Sequence, residues 1–246
     1  MANPSGTCQI CGAHGPLSFE HVPPKKAFNN RPVFRALVER IEDEYRVTQH
    51  GKQNKGLGGN TLCERCNNST GRWYGTHFVP WTVTAATVLE NAGEAKFVPF
   101  ITSTRPLRVL KQIATMFFTV NGPNFHTQHP ELAHFVLNHN ARLAPKFKFF
   151  LYFMEGNSLR FNEAQLVGRG DFSNPTFSHF GYISDFSFPP FGYVLTVDQE
   201  MYDYRPQDIS FFGRYGPDED AEISLVLPVL PTHGMLIGGL APPNIK

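Results

Sequence analysis

Residues 8–25 read CQICGAHGPLSFEHVPPK, and residues 61–71 read TLCERCNNSTG. Each stretch carries a Cys-x-x-Cys pair, Cys8 with Cys11 and Cys63 with Cys66. Such a pair brackets a tight turn and offers two sulfurs on one side of an ion. Two pairs therefore supply the four soft thiolates of a closed tetrahedral zinc site. The 51 residues between them exceed the gap of roughly 15–20 in a simple zinc ribbon. A folded segment is expected between the knuckles, and the dipeptide Glu20-His21, closed off by Pro23 and Pro24, lies inside it. The rival for the cysteines is redox chemistry, which asks for a C-x-x-C opening a helix within a βαβ pattern. Neither pair offers that. His14, close to the first pair, is not needed as a ligand and reads as a turn residue.

The composition sets the wider frame. The 246 residues are 41% hydrophobic and 17% charged, the balance of a folded soluble chain of one large or two small domains. The 23 phenylalanines and 20 prolines favour strands, turns and irregular segments over a helical bundle. Net charge is +1, but residues 1–80 hold ten Lys and Arg against six Asp and Glu, a local +4. Any polyanion contact is thus expected in the N-terminal part. The start MANPSGTC has neither the charged nor the apolar region of a secretory signal. No apolar run approaches the ~18–20 residues of a membrane span. A cytoplasmic location follows as the expectation, and there four cysteines are metal ligands more readily than disulfides.

Along the chain, residues 7–23 read as a knuckle and hairpin. Leu17 and Phe19 alternate there with Ser18 and Glu20. Residues 32–44, PVFRALVERIEDE, read as a short helix with Pro32 near its start. Residues 50–60 read as a polar glycine-rich loop, and the second knuckle leads into a helix. Pro80 and VTAATVLENAG suggest another helix ending at Gly93. Residues 105–120 carry an apolar stripe at helical spacing, and 129–139 read as a further helix with Pro130 in its first turn. From about 146 onward, β-branched and aromatic segments separated by Gly, Pro, Asn and Asp read as strands. The class is α+β. A metal-binding unit is expected over 1–80, a helix and linker over 81–104, and an α+β domain over 105–246.

Taken together, C-x-x-C, then EHVPPK, then a glycine-rich loop, then LCERCNNSTG resembles the HNH endonuclease family. The likeness is to its zinc-stapled subgroup with an E-H-x-x-P strand end and a C-x-x-C-N helix start, over about residues 7–75. The resemblance implies a ββα fold gripping one divalent ion. It implies His21 as the general base that activates water, with Glu20 and Asn67 as ligands of that ion. Asn68 competes with Asn67 for the second ligand role. The family's middle Asn falls on Gly58 here, and the nearest Asn, Asn60, takes the expected role of bracing the loop. Further along the last helix, where many members place another ligand, stand Thr70 and Gly71. The implied partner is DNA, with RNA left open.

This division of labour is chemically coherent. Phosphodiester hydrolysis needs a nucleophile made from water and positive charge at the phosphate and the departing oxygen. Neutral imidazole, with a reference pKa of about 6.5, is a suitable base at cellular pH. Carboxylate and amide oxygens suit Mg²⁺ or Mn²⁺. Adjacent strand residues point to opposite faces, so Glu20 and His21 serve one phosphate only if the chain bends there. Lys25, Lys26 and Arg72 are candidate phosphate contacts, with solvated surface charge as the equal alternative, as for Lys52 and Lys55. His77, His50 and the histidines at 126, 129, 134 and 139 read as ordinary. Nineteen of the phenylalanines lie after residue 81 and read as a β-rich core. The competing function is a zinc-stapled nucleic-acid-binding module without catalysis. A zinc protein that never touches nucleic acid is the third.

Overall fold

In the computed structural model, which describes residues 3–41, 44–156, 159–171, 174–201 and 203–231, the first cysteine knuckle is the turn of a hairpin. Strand β1 (Ser5–Thr7) pairs antiparallel with β2 (His14–His21). Next come β3 (Val33–Ile41) and β4 (Glu44–Gln53), which form an antiparallel two-stranded sheet of their own. Strand β5 (Gly58–Cys63) then returns to lie against β2, giving the order β1-β2-β5. The second knuckle joins β5 directly to helix α1 (Glu64–Thr70). A π-helical turn (Gly71–Gly75) links α1 to α2 (Thr76–Glu90), so one helical path crosses residue 80 without a break.

The rest of the chain builds a third, larger sheet around a central helix. Its elements are β6 (Phe97–Thr104), α3 (Pro106–Val120), α4 (Phe125–Gln128), α5 (Pro130–Leu137), β7 (Phe147–Glu155), β8 (Arg160–Asp171), β9 (Asn174–Phe188), β10 (Phe191–Val197), β11 (Gln207–Asp208) and β12 (Ala221–Pro231). The strand order is β6-β12-β7-β10-β9-β8, with β11 on β7. The β12–β7 pairing is parallel and the others are antiparallel. The chain is thus an α+β mixture. Among the described residues no helix is long and apolar enough to cross a membrane.

Helix α3 is the hub. Every residue in it except Arg108 and Thr119 is buried, the pattern of a helix packed on all sides. Its Lys111 Nζ donates to the carbonyls of Phe135, Asn138 and His139 at 2.8, 2.6 and 3.1 Å. It thereby caps the C-terminal end of α5, where unpaired carbonyls favour a cation. The phenylalanines form the core as expected. Phe153 stacks on Phe191 at 5.4 Å, Phe186 on Tyr193 at 4.7 Å, and Trp81 meets Phe100 edge-on at 4.7 Å. One contiguous apolar cluster takes in Cys8, Leu62 and Cys66 from the knuckles, Trp81 from α2, and Phe100 and Leu227 from the large sheet.

Three readings of the sequence change here. The helix expected over 32–44 is instead strand β3, with residues 42 and 43 outside the described region. Apolar residues at 33, 34, 37, 38 and 41 fit helical spacing, but Val33, Val38 and Ile41 are β-branched. A paired strand at Glu44–Gln53 supplies the ladder that decides the matter. The glycine-rich loop over 50–60 shrinks, because β4 runs to Gln53 and β5 begins at Gly58. Strand β6 lies within the stretch read as helix and linker, and its pairing with β12 from Ala221–Thr104 to Pro228–Phe97 explains its conformation.

Candidate metal centre and adjoining pocket

The first knuckle is set by its backbone. The Gly12 amide donates to the Cys8 carbonyl at 2.9 Å, and the Cys8 amide to the Ala13 carbonyl at 2.9 Å. Gly12 sits at φ +73°, a conformation glycine adopts freely. The Gln9 amide donates to the Thr61 carbonyl at 2.9 Å and ties the first knuckle to β5, which carries the second. As a result the four sulfurs of Cys8, Cys11, Cys63 and Cys66 lie within 4.8 Å of one another, with Cys11 and Cys63 at 3.8 Å. A tetrahedron with metal–sulfur bonds of about 2.3 Å has an edge near ~3.8 Å. All four thiols are free of disulfides. A hydrogen bond from Cys66 holds the Cys8 pKa below its usual value, and the same contact, with burial, pushes that of Cys66 up. Four thiols crowded in this way are close enough to hold one metal ion, and the donor set is the one zinc prefers.

Beside this cluster a small pocket of about 160 Å³ opens at the end of β2. Glu20 and His21 both line it, with Lys25, Asn67 and Gln112. Glu20 is 5% exposed, and its Oε2 has no hydrogen-bond partner. Burial, then the charge of Cys8, pushes this carboxyl up to about 8 against a hydrogen bond from Thr119. His21 Nε2 lies 2.8 Å from the Lys55 carbonyl. A carbonyl only accepts, so Nε2 carries the proton and Nδ1 keeps its lone pair. Burial holds the His21 pKa below its usual value, with help from Lys25 and Lys55 against that hydrogen bond. The ring is steadied edge-on against Phe19 at 5.0 Å. Asn67, on α1, donates through Nδ2 to Ser18 Oγ at 3.0 Å and to the Phe19 carbonyl at 3.1 Å. Its amide nitrogen is thus occupied by β2, and its Oδ1 is the atom left over.

No protein-family model, curated protein or solved structure matches the chain.

The sequence candidates therefore rest on geometry. Glu20, His21, Asn67 and Lys25 share one pocket. Asn68 is exposed and outside it. Asn60 is exposed on β5 opposite Phe19, also outside the pocket lining. Lys26 is exposed and faces a larger hollow of about 1050 Å³ that also borders Arg31 and α2. Arg72 is exposed on the π-helical turn, next to pocket residue Gly71.

Three residues were missed. Asn29, 1% exposed, ties the chain after His21 to the loop before β5. Its Nδ2 donates to the carbonyls of Pro23 and Leu57 at 2.8 and 2.7 Å, and its Oδ1 accepts from the Leu57 amide at 2.6 Å. The bracing expected of Asn60 is thus provided by Asn29, which no local pattern singles out. Gln112 and Thr119 reach the site from α3. Gln112 lines the pocket, and Thr119 Oγ1 meets Thr61 Oγ1 at 3.0 Å. These two polar residues stand seven apart on α3, hence on one face, and that spacing was the available signal.

Proposed function

We propose that the chain is a metal-dependent endonuclease that hydrolyses phosphodiester bonds in DNA, built on a zinc-stapled ββα module of HNH type. The observation that carries this reading is convergence. Glu20 and His21 from β2 and Asn67 from α1 meet in one pocket, next to a four-sulfur cluster drawn from the β1–β2 turn, the end of β5 and the start of α1. Strands β2 and β5 with helix α1 would be the ββα unit. Zinc on Cys8, Cys11, Cys63 and Cys66 would be structural, since four protein thiolates leave no open coordination position.

The unpaired Oε2 of Glu20 is an orphaned buried acceptor, which fits a site for Mg²⁺ or Mn²⁺ held by Glu20 and Asn67. Such an ion supplies positive charge at the scissile phosphate and at the departing oxygen. His21 takes the proton from the attacking water at Nδ1. The Lys55 carbonyl orients the ring through Nε2, the second hydrogen bond a general base needs to hold its tautomer. Lys25 at the pocket rim and Arg72 beside it neutralise flanking phosphates.

The test is cleavage of supercoiled plasmid by the purified full chain with Mg²⁺ or Mn²⁺. The wild type is expected to nick or linearise the plasmid. His21→Ala is expected to lose roughly 10²–10⁴-fold in rate while keeping its zinc content and thermal transition. Binding without cleavage by the wild type would favour the non-catalytic module. Equal cleavage by His21→Ala would remove the assignment of the base.

A further inference from the structure

Past His21 the chain runs between two hollows. Pro24 and Lys25 line the small pocket, whereas Lys26, Phe28, Asn30 and Arg31 line the larger space of about 1050 Å³. The turn between them is fixed from inside. The Ala27 amide donates to the Pro24 carbonyl at 2.7 Å, Ala27 is buried, and Asn29 is clamped by its hydrogen bonds to Pro23 and Leu57. Phe28 stands between these two anchors at φ +67°, in the left-handed region that a phenylalanine adopts only at a steric cost. Full burial of the ring does not offset that cost, because Phe28 is 45% exposed. Lys26 and Arg31, on either side of it, are exposed, and no ion pair among the described residues engages them. The far wall is acidic. It carries Glu90 and Glu94 at and beyond the end of α2, and Glu155, which lies 3.8 Å from Lys96.

We propose that the larger hollow receives unpaired nucleotides of a single DNA strand, beyond Lys25 from the scissile phosphate, with a base stacked on Phe28 and phosphates on Lys26 and Arg31. This inference rests on the endonuclease reading of the Glu20–His21 pocket. An aromatic platform among cations holds single strands of any sequence, because every base has a π-face and every linkage a phosphate. One strand can reach both hollows. The three steps from Lys25 to Phe28 span at most about 11 Å, roughly three nucleotides at the ~3.4 Å rise of a stacked strand. The acidic wall decides against a duplex. Glu90 and Glu94 would repel a second phosphate backbone, whereas carboxylates accept hydrogen bonds from base amino groups. A space of about 1050 Å³ is at the upper end of what encloses a drug-sized ligand, and so suits one or two nucleotides. The left-handed backbone at Phe28 then has a purpose. It sets the ring in place before the strand arrives, so less freedom is lost on binding.

The test is binding of a short fluorescein-labelled oligodeoxynucleotide to the zinc-loaded full chain, as a single strand and as a duplex. It is read by anisotropy without added Mg²⁺ or Mn²⁺, so that binding is separated from cutting. The wild type is expected to prefer the single strand. Phe28→Gly is expected to weaken single-strand binding about tenfold or more. Its thermal midpoint is expected to stay level or rise, because glycine adopts positive φ freely, so the loss cannot be put down to unfolding. Phe28→Trp, which keeps a stacking face, is expected to retain binding. Lys26→Gln combined with Arg31→Gln is expected to lower the slope of log affinity against log salt by roughly 1.4. No single-strand binding by the wild type, a preference for the duplex, or equal affinity in Phe28→Gly would each overturn the inference. Plasmid cleavage by the wild type decides the function reading separately, so the two can fail apart. Should Phe28→Gly fail to fold, Phe28→Asn, which also tolerates this φ, takes its place.

Discussion

At the scale of single residues, the pocket depends on side chains that never enter it. His21 is aimed by the Lys55 carbonyl, and Lys55 belongs to a short loop whose Leu57 is held by Asn29. Gly56 shows how close that hold is: a Cβ there would stand 2.4 Å from the Asn29 carbonyl oxygen. Asn29→Ala would strand the Leu57 amide and the Pro23 carbonyl in the interior, while the Leu57 carbonyl keeps the Val22 amide at 3.0 Å. A loss of about 3 kcal/mol is expected, measurable by urea denaturation, together with a fall in plasmid cleavage as His21 loses its support. Asn60→Ala, at an exposed position, is expected to stay within about 0.5 kcal/mol of the wild type. The sequence offered both residues as plain asparagines. Asn60 stood nearer the motif spacing, yet hydrogen bonding across 28 residues selected Asn29.

At the scale of elements, the glycines of the second strand matter more than its side chains. Strand β5 closes against β2 through the pairs His21–Gly58, Glu20–Gly59 and Phe19–Asn60, with a register shift between Ser18 and Phe19. A Cβ on Gly58 would lie 1.9 Å from the Glu20 carbonyl oxygen, closer than any real contact. Gly58→Ala is therefore expected to push β5 away from β2 and destabilise the chain by more than about 2 kcal/mol, seen as a lower thermal midpoint with weakened zinc retention. Gly71→Ala, with open space at its Cβ, is expected to be neutral or mildly stabilising by up to about 1 kcal/mol. Glycine richness was visible in the sequence, but its purpose was not. It read as loop freedom, whereas at Gly58 it is the absence of a Cβ that lets two strands meet. The β3 segment failed for a related reason: its apolar spacing fits a helix, and only its pairing with β4 overrides that local preference.

At the scale of the whole molecule, the knuckles and the aromatic sheet share one core. Cys8 and Cys66 belong to the same apolar cluster as Trp81, Phe117 and Leu227, and Tyr74 Oη donates to the Val136 carbonyl at 2.7 Å across 62 residues. Removing a structural metal from the four cysteines therefore withdraws folding energy from a shared core as well as from the local turns. Treatment with a strong chelator is expected to lower the thermal midpoint of the full chain and to reduce its near-UV signal. An unchanged transition would show that the cysteines hold no structural metal.

The sequence by itself determined what lies close to it along the chain. The two C-x-x-C pairs, the alternating strand that ends in Glu20-His21, the helix into which the second pair leads and the stripe of α3 all follow from spacing over a few residues, where turn and pleat geometry act directly. Only the tertiary structure decided which residues line the same pocket. It set Asn67 in the pocket and left Asn68 outside, gave the bracing to Asn29 instead of Asn60, and brought Gln112 and Thr119 to the end of β2. The physical reason is that these partners are joined by burial and by hydrogen bonds between remote segments. Such contacts depend on how sheets and helices pack, and local periodicity carries no record of them.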